Sequence, residues 1–272
     1  MIAALVAAAA VLTLPAMAGA VTLQGAGSSA EQPILDDLFA AYTKLHKSIH
    51  FRFYADGGNA GVKLVQDHRE LFAVNTRPPL ASDAGTTYIK IFLDGLCVAV
   101  NPANSESNLT LSQTKNIFLG LDTTWSQVGG SDLGSATIEP VGRNSTAGSY
   151  TFFQSAVLGG KTQASSVLQE GSDGLVESTV ANAKDSIGYV GLAHSGPGSG
   201  VKRLTLNGVA CSTANIKNES YPLWRWIWAV IPTPSKTVHP NASVENFINW
   251  VATSKKAGSV ITKAGAVPAF NK

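Results

Sequence analysis

Charge is scarce in this chain. Asp, Glu, Lys and Arg make up 14% of it, and 20 basic against 18 acidic residues leave a formal net charge of +2. That argues against a nucleic-acid-binding footprint or a polybasic membrane-surface patch. A local anion site survives the argument, because a few backbone N–H groups and one arginine suffice for it. Cysteine is nearly absent: Cys97 and Cys211 are the two in 272 residues, too few for a disulfide-built scaffold. They read either as one bridge or as two buried small side chains that never meet. The histidines His46, His50, His68, His194 and His239 show no metal-ligand spacing, so no metal and no other cofactor is expected. No period of 20 to 50 residues recurs, which argues against a solenoid. Neither a nucleophile elbow nor a paired-acid signature is present. No catalytic residue is therefore assigned, and the chain reads as a binding protein rather than an enzyme.

Basic residues are also missing from the start, where none precedes Lys44. Residues 2–15 are almost wholly apolar, and Ala16-Met17-Ala18 is a small-x-small pattern, with Ala18-Gly19-Ala20 as an alternative. Residues 1–20 are accordingly expected to be an export leader that lacks its basic segment, making the mature protein periplasmic or extracellular. The run is short for a membrane anchor, and no cysteine near it supports lipid anchoring. Asn-x-Ser/Thr triplets begin at Asn108, Asn144, Asn218 and Asn241; such short triplets arise easily by chance.

What the chain has in quantity is apolar residues, at 44%, and 26 glycines. That is a globular composition, able to build one large core or two modest ones joined by tight turns. Strand and helix patterns alternate from residue 21. A short strand at 21–23 leads into Gly25-Ala26-Gly27-Ser28-Ser29, and Leu35, Leu38, Phe39, Tyr42 and Leu45 then follow helical spacing. Strands are expected at 49–53 and 71–74, with a helix opening near Val62 between them. A long apolar strand over 91–101 and another over 226–231 are each able to cross between two lobes. Between these lie a helix over 109–119 with Thr110 as N-cap, a strand over 137–142, helices over 150–158 and 175–181, a strand over 187–190, and a hairpin around Asn207-Gly208. Helices over 244–251 and 259–263 close the chain. Strands separated by helices imply an α/β fold with largely parallel sheets, whose ligands sit beyond the carboxyl ends of the strands.

Strand–loop–helix junctions at 25–30, 56–61 and 143–149 are rich in small polar residues, and their recurrence points to one anion. Taken singly, each is as well explained by an N-cap in a tight turn. Arg143 ends a strand just before such a run, where a planar guanidinium is an oxyanion clamp; the alternative is a surface arginine paired with Glu139. Arg77 either reaches the same cleft or braces its loop. Trp224, Trp226 and Trp228 alternate along one strand face and are expected to pack against helices, as are Trp125 and Trp250.

The segments Gly25-Ala26-Gly27-Ser28-Ser29, Val98 to Pro102, Asn108 to Thr110, Ile117 to Gly120, Trp125 to Gly130, Val141-Gly142-Arg143, Ile187 to Val190 and Tyr221-Pro222-Leu223 form an ordered set. Together they resemble the periplasmic phosphate-binding proteins of ABC importers, in their shorter bacterial form. The resemblance covers nearly the whole chain after the leader. It implies a two-lobed type II periplasmic-binding-protein fold, with lobe 1 made of 21–95 plus 226–272, lobe 2 of 96–225, and crossings near 94–98 and 222–228. It further implies a monomer that captures inorganic phosphate and passes it to importer membrane subunits. Carried over, the ligand-binding residues are Ser28, Ser29, Ala30, Gly58, Asn59, Thr76, Arg143, Ala147, Gly148 and Ser149. The chain departs from the family where Ala147 replaces a serine, where Gly58 stands for a common serine, and where Thr76 replaces the aspartate that takes the phosphate proton in longer members. Asp56, in the neighbouring loop, is the expected substitute acceptor. Alternatives are capture or sensing of another oxyanion such as sulfate, or a degenerate member that has lost about two to four decades of affinity with its missing hydroxyls. Hydrolysis of phosphate esters is a weaker alternative.

Overall fold

The computed structural model describes residues 19–129 and 132–272. The leader expected at 1–20, with both of its cleavage patterns, therefore lies almost wholly outside the described residues. In chain order the elements begin with β1 (Val21–Gly27), α1 (Gln32–Leu45), β2 (Ile49–Tyr54), α2 (Gly58–Gln66), β3 (Phe72–Asn75) and β4 (Thr86–Val100). Next come β5 (Asn108–Leu109), α3 (Leu111–Phe118), β6 (Glu139–Arg143), α4 (Gly148–Ala156), β7 (Leu168–Glu170), α5 (Asp173–Asn182) and β8 (Ser186–Gly191). The remainder is β9 (Lys202–Arg203), β10 (Thr205–Leu206), β11 (Val209–Ala210), α6 (Thr213–Lys217), β12 (Trp224–Pro232), α7 (Ala242–Thr253), α8 (Lys255–Lys263) and β13 (Val267–Pro268).

The main sheet has the order β2-β1-β3-β12-β4-β8-β6-β7, with β13 and β9 added to β4. It holds two parallel sets, β2-β1-β3 and β8-β6-β7, separated by the antiparallel strands β12 and β4. β4 is the continuous link. Its residues 86–95 pair with β12 and its residues 96–100 with β8. It starts five residues ahead of the apolar run because the polar-alternating Thr86 to Lys90 are held by β12 pairing rather than by hydrophobic periodicity. The other crossing passes through Tyr221 to Trp224, where Leu96 N donates to Leu223 O at 3.0 Å. Each parallel set builds its own core. Leu38, Phe39, Phe72, Phe92 and Phe247 anchor one, and Phe118, Trp125, Phe153, Tyr189 and Tyr221 the other. The fold is thus mixed α/β with two lobes. Cys97 and Cys211, left open by the sequence, form a disulfide with Cα atoms 5.7 Å apart.

Local signals behave as their chemistry demands. Thr110 caps α3 in a reciprocal box, with Gln113 N donating to Thr110 Oγ1 at 3.1 Å and Thr110 N to Gln113 Oε1 at 2.8 Å. The helix starts at Leu111 rather than 109, since Asn108–Leu109 pairs with β10. The hairpin is the β10–β11 pair, and its turn residues Asn207 and Gly208 both have positive φ.

Candidate functional site

Because the two parallel sets meet at β4 and β12, their carboxyl ends converge on one cleft. β1 ends at Gly27 and delivers Ser28, Ser29 and Ala30. β3 ends at Asn75 and delivers Thr76. From the opposite lobe β6 ends at Arg143, followed by the 144–149 loop. Three of the helix starts at the cleft differ from the other helix starts. α3, α5, α6, α7 and α8 are capped by the side chains of Thr110, Ser172, Ser212, Asn241 and Ser254. α1, α2 and α4 begin at Glu31, Gly57 and Ala147 with no side-chain cap. A helix leaves its first N–H groups without intrahelical partners, so an uncapped start holds donors ready for another acceptor. At α2 the facing lobe supplies it: Asn59 N and Ala60 N donate to Thr146 O at 2.9 and 3.3 Å.

Arg143 is 1% exposed. Its Nη1 donates to Ser29 Oγ at 2.9 Å across the cleft, Nε to Glu170 O at 3.2 Å and Nη2 to Gly171 O at 2.8 Å. Nη1 also pairs with Asp173 Oδ2. Burial pulls this guanidinium down to about 10; the Tyr189 and Glu170 charges oppose the shift and the like charge of Arg225 adds to it. It stays protonated at neutral pH, which contact with the Asp173 carboxylate reinforces. Ser29 Oγ in turn accepts from Asp173 N at 3.1 Å and donates to Asp173 Oδ2 at 3.2 Å. Asp173 Oδ1 accepts from Gly191 N at 3.1 Å. Asp173, absent from the expected set, therefore sits on the two groups expected to grip an anion. In the sequence it lies in the Gly171-to-Gly174 run ahead of the helix expected over 175–181, where nothing singles it out.

The remaining expected residues close the cleft. Ser28, Ala30, Gly58, Thr76, Ala147, Gly148 and Ser149 are all buried. Thr76 Oγ1 lies 3.4 Å from Ser149 Oγ. A Cβ on Gly58 would overlap Asn75 Oδ1, and one on Gly148 would overlap the same atom and lie 2.7 Å from Thr76 Oγ1. Glycine at 148 lets the lobes meet, and glycine at 58 lets α2 sit against Asn75 within the first lobe, where a serine would crowd it. Asn59 acts differently from a free donor. Its Nδ2 reaches Ser145 O at 2.9 Å, Ala147 O at 3.1 Å and Thr151 Oγ1 at 2.9 Å, and its Oδ1 accepts from Arg77 Nε at 2.7 Å. It is an interlobe clasp. A second clasp is His194, bonded to Glu177 Oε2 at 2.8 Å and to Ser29 O at 3.0 Å.

Asp56, the expected substitute acceptor, is exposed, whereas Gly57 and Gly58 after it are buried. Arg77 braces its loop. It donates to Asp83 Oδ2 at 2.6 Å, to Pro78 O at 2.9 Å and to Tyr88 Oη at 3.2 Å. Glu139 does not pair with Arg143; Ser186 Oγ is 3.3 Å from it. The tryptophans of β12 are half-buried, with Lys90 Nζ 4.6 Å from the Trp226 ring centroid. The opposite face of the strand is the buried one and carries Arg225. Reading the tryptophans as the inward face hides that arginine.

The comparisons decide the family. A family model described as a PBP superfamily domain matches residues 15–255. The chain belongs to the PBP superfamily. Within it, the chain is similar to the phosphate-binding protein PstS of Staphylococcus epidermidis, at 29% identity over 92% of this chain and 79% of that one. It is also similar to PstS of Borreliella burgdorferi, at 25% identity over 84% and 83%. Among solved structures, a candidate phosphate ABC transporter substrate-binding protein from Clostridium perfringens, with phosphate bound, superposes with a TM-score of 0.83 at 22% identity, covering 91% of this chain and 99% of that one. An ABC-type phosphate transport receptor from Vibrio cholerae gives 0.71 at 23% identity, over 90% and 99%. At such identities the structural likeness speaks for the fold.

Proposed function

We propose that this superfamily member is an exported solute-binding protein that captures inorganic phosphate between its lobes and delivers it to the membrane subunits of an ABC importer. The lobes that close are 21–95 with 226–272, and 96–225. The observation that carries the reading is the pair of uncapped helix starts, at α1 and α4, flanking a buried arginine. Ser29, Ala30, Gly148 and Ser149 amides, the Thr76 and Ser149 hydroxyls and the Arg143 guanidinium are donors for one tetrahedral oxyanion. The relatives named as phosphate-binding proteins span most of the chain, which supports phosphate as that anion. Asp173, rather than Asp56, is the carboxylate beside these donors. An oxyanion that carries a proton can donate to it, whereas fully ionised sulfate meets only repulsion. Binding is favoured over hydrolysis because Ser29 Oγ is engaged by Asp173 and Arg143, and His194 contacts the Ser29 carbonyl instead of the hydroxyl. The protein acts as a single chain.

The test is calorimetric competition of phosphate, arsenate and sulfate against the protein lacking residues 1–20. Phosphate and arsenate are expected to bind and compete, with sulfate far weaker. Flat heats for all three would overturn the proposal.

A further inference from the structure

Arg225 lies on β12 directly opposite Asp94 on β4, at the junction of the two parallel sets. It is 2% exposed. Nη2 donates to Asp94 Oδ2 at 3.0 Å and pairs with Glu31 Oε1 at 3.5 Å. Nη1 donates to Ser149 Oγ at 3.1 Å, and the guanidinium carbon stands 5.7 Å from the Phe152 ring centroid. One side chain therefore touches the linking strand, the residue that starts α1 in the first lobe, and the first two turns of α4 in the second. These are the two helices whose uncapped starts flank Arg143.

We propose that Arg225 is the positioning residue of the anion site, holding the α1 and α4 starts in register and aiming the Ser149 hydroxyl into the cleft. The aiming follows from donor and acceptor count. A guanidinium has donors only, so its bond to Ser149 Oγ occupies a lone pair and cannot take the hydroxyl proton. That proton then points toward the cleft side, where Thr76 Oγ1 lies. A role in folding alone fits less well. Among the described residues, Arg225 Nε and Glu31 Oε2 are buried with no hydrogen-bond partner, and a cluster kept only for stability gains nothing from unmade bonds. The fork matters as well as the charge: a lysine ammonium cannot span Asp94 and Ser149 in one plane.

The inference rests on the phosphate reading, and the experiment separates the two. Phosphate affinity is measured by calorimetry for wild type, Ser149→Ala, Arg225→Lys and the double variant. Each single change is expected to weaken phosphate binding about 10- to 30-fold, and the double no further than the worse single, since residues acting as one unit are not additive. Wild-type affinity in Arg225→Lys, or full multiplication of the two losses, overturns the assignment alone. A wild-type protein that takes no phosphate overturns the ligand reading and this assignment with it. Should Arg225→Lys not fold, Glu31→Gln/Asp94→Asn/Arg225→Gln replaces the cluster by neutral amides of similar shape. That protein is expected to melt cooperatively with at least the same loss of phosphate affinity, and wild-type affinity in it overturns the proposal.

Discussion

The helices of the periphery and α1, α2 and α4 of the cleft start in different ways, while α5, whose Asp173 also reaches the cleft, keeps its Ser172 cap. Away from the cleft, Thr110, Ser212, Asn241 and Ser254 each fold a side-chain oxygen back onto the first amides. At the cleft, Glu31, Gly57 and Ala147 offer none. A capped helix is satisfied by its own sequence. An uncapped one depends on what the rest of the molecule, or a ligand, brings to it. α2 shows the first solution, with Thr146 O of the facing lobe, and the second is the one proposed for α1 and α4. Ala147, which lacks a hydroxyl relative to the family the chain resembles, also removes an internal competitor for the Ser149 and Tyr150 amides.

The contrast can be broken most severely at its charged centre. Arg143→Ala combined with Asp173→Asn, so that no buried carboxylate is left unpaired, is expected to lower phosphate affinity about 1000-fold through loss of several charge-assisted hydrogen bonds; calorimetry on the folded variant checks it. Ala147→Asp should convert α4 to the peripheral type. The new carboxylate would cap the helix and repel the ligand, for an expected loss of about 100-fold, and an unchanged affinity would mean that the α4 start does not meet the anion. Thr110→Ala breaks the other side of the comparison. It should cost about 1 kcal/mol of stability in a denaturant melt while phosphate affinity stays put.

The smallest effect concerns pH. Burial, then the Asp94 charge, raise the Glu31 carboxyl well above its ordinary value of 4.5, against the pull of Arg225. The folded state thus holds this proton after the unfolded chain has released it, so Glu31 costs stability progressively as pH rises from about 4.5 to its raised value. Glu31→Gln should flatten that decline, seen as a melting temperature that gains on wild type with rising pH. Parallel melting curves at every pH would dismiss it. Asp83 has the opposite sign. Burial works to raise it, but the Arg77 hydrogen bond, the Leu80 amide, the Tyr88 hydroxyl and the Arg77 charge outweigh burial and hold it below its ordinary value of 3.8. Its contribution is present above that value and is lost as pH falls through the depressed one.

Much of the framework was legible because it rests on local chemistry. The Thr110 box, the Asn207-Gly208 turn and the apolar stripe of α1 each follow from a few adjacent residues. Ser29, Arg143 and the 147–149 run were legible as candidates because strand–loop–helix junctions carry their small polar residues together. Thr76 lies in none of those junctions and was implied only by the family resemblance. Other parts of the site were hidden. Asp173 stood unmarked just ahead of the helix expected over 175–181, and its place on Ser29 spans 144 residues of sequence. Arg225 was masked by the tryptophans beside it, since a single sequence shows alternation but not which face a strand turns inward. Asp56 and Asn59 read in the sequence as an acceptor and a ligand of the anion, but the structure exposes the first and gives the second bonds that clasp the lobes.

The sequence by itself determined the alternation of strands and helices, the Thr110 start of α3 and the loops proposed to hold an anion, because each depends on backbone preference and hydrophobic period within a dozen residues. The tertiary structure alone decided that Cys97 meets Cys211, that Asp173 shares Arg143 with Ser29, and that Arg225 ties two helix starts to the linking strands. Those contacts exist only where two separately cored lobes close on each other, and the buried charges within them depend on long-range geometry that no local pattern encodes.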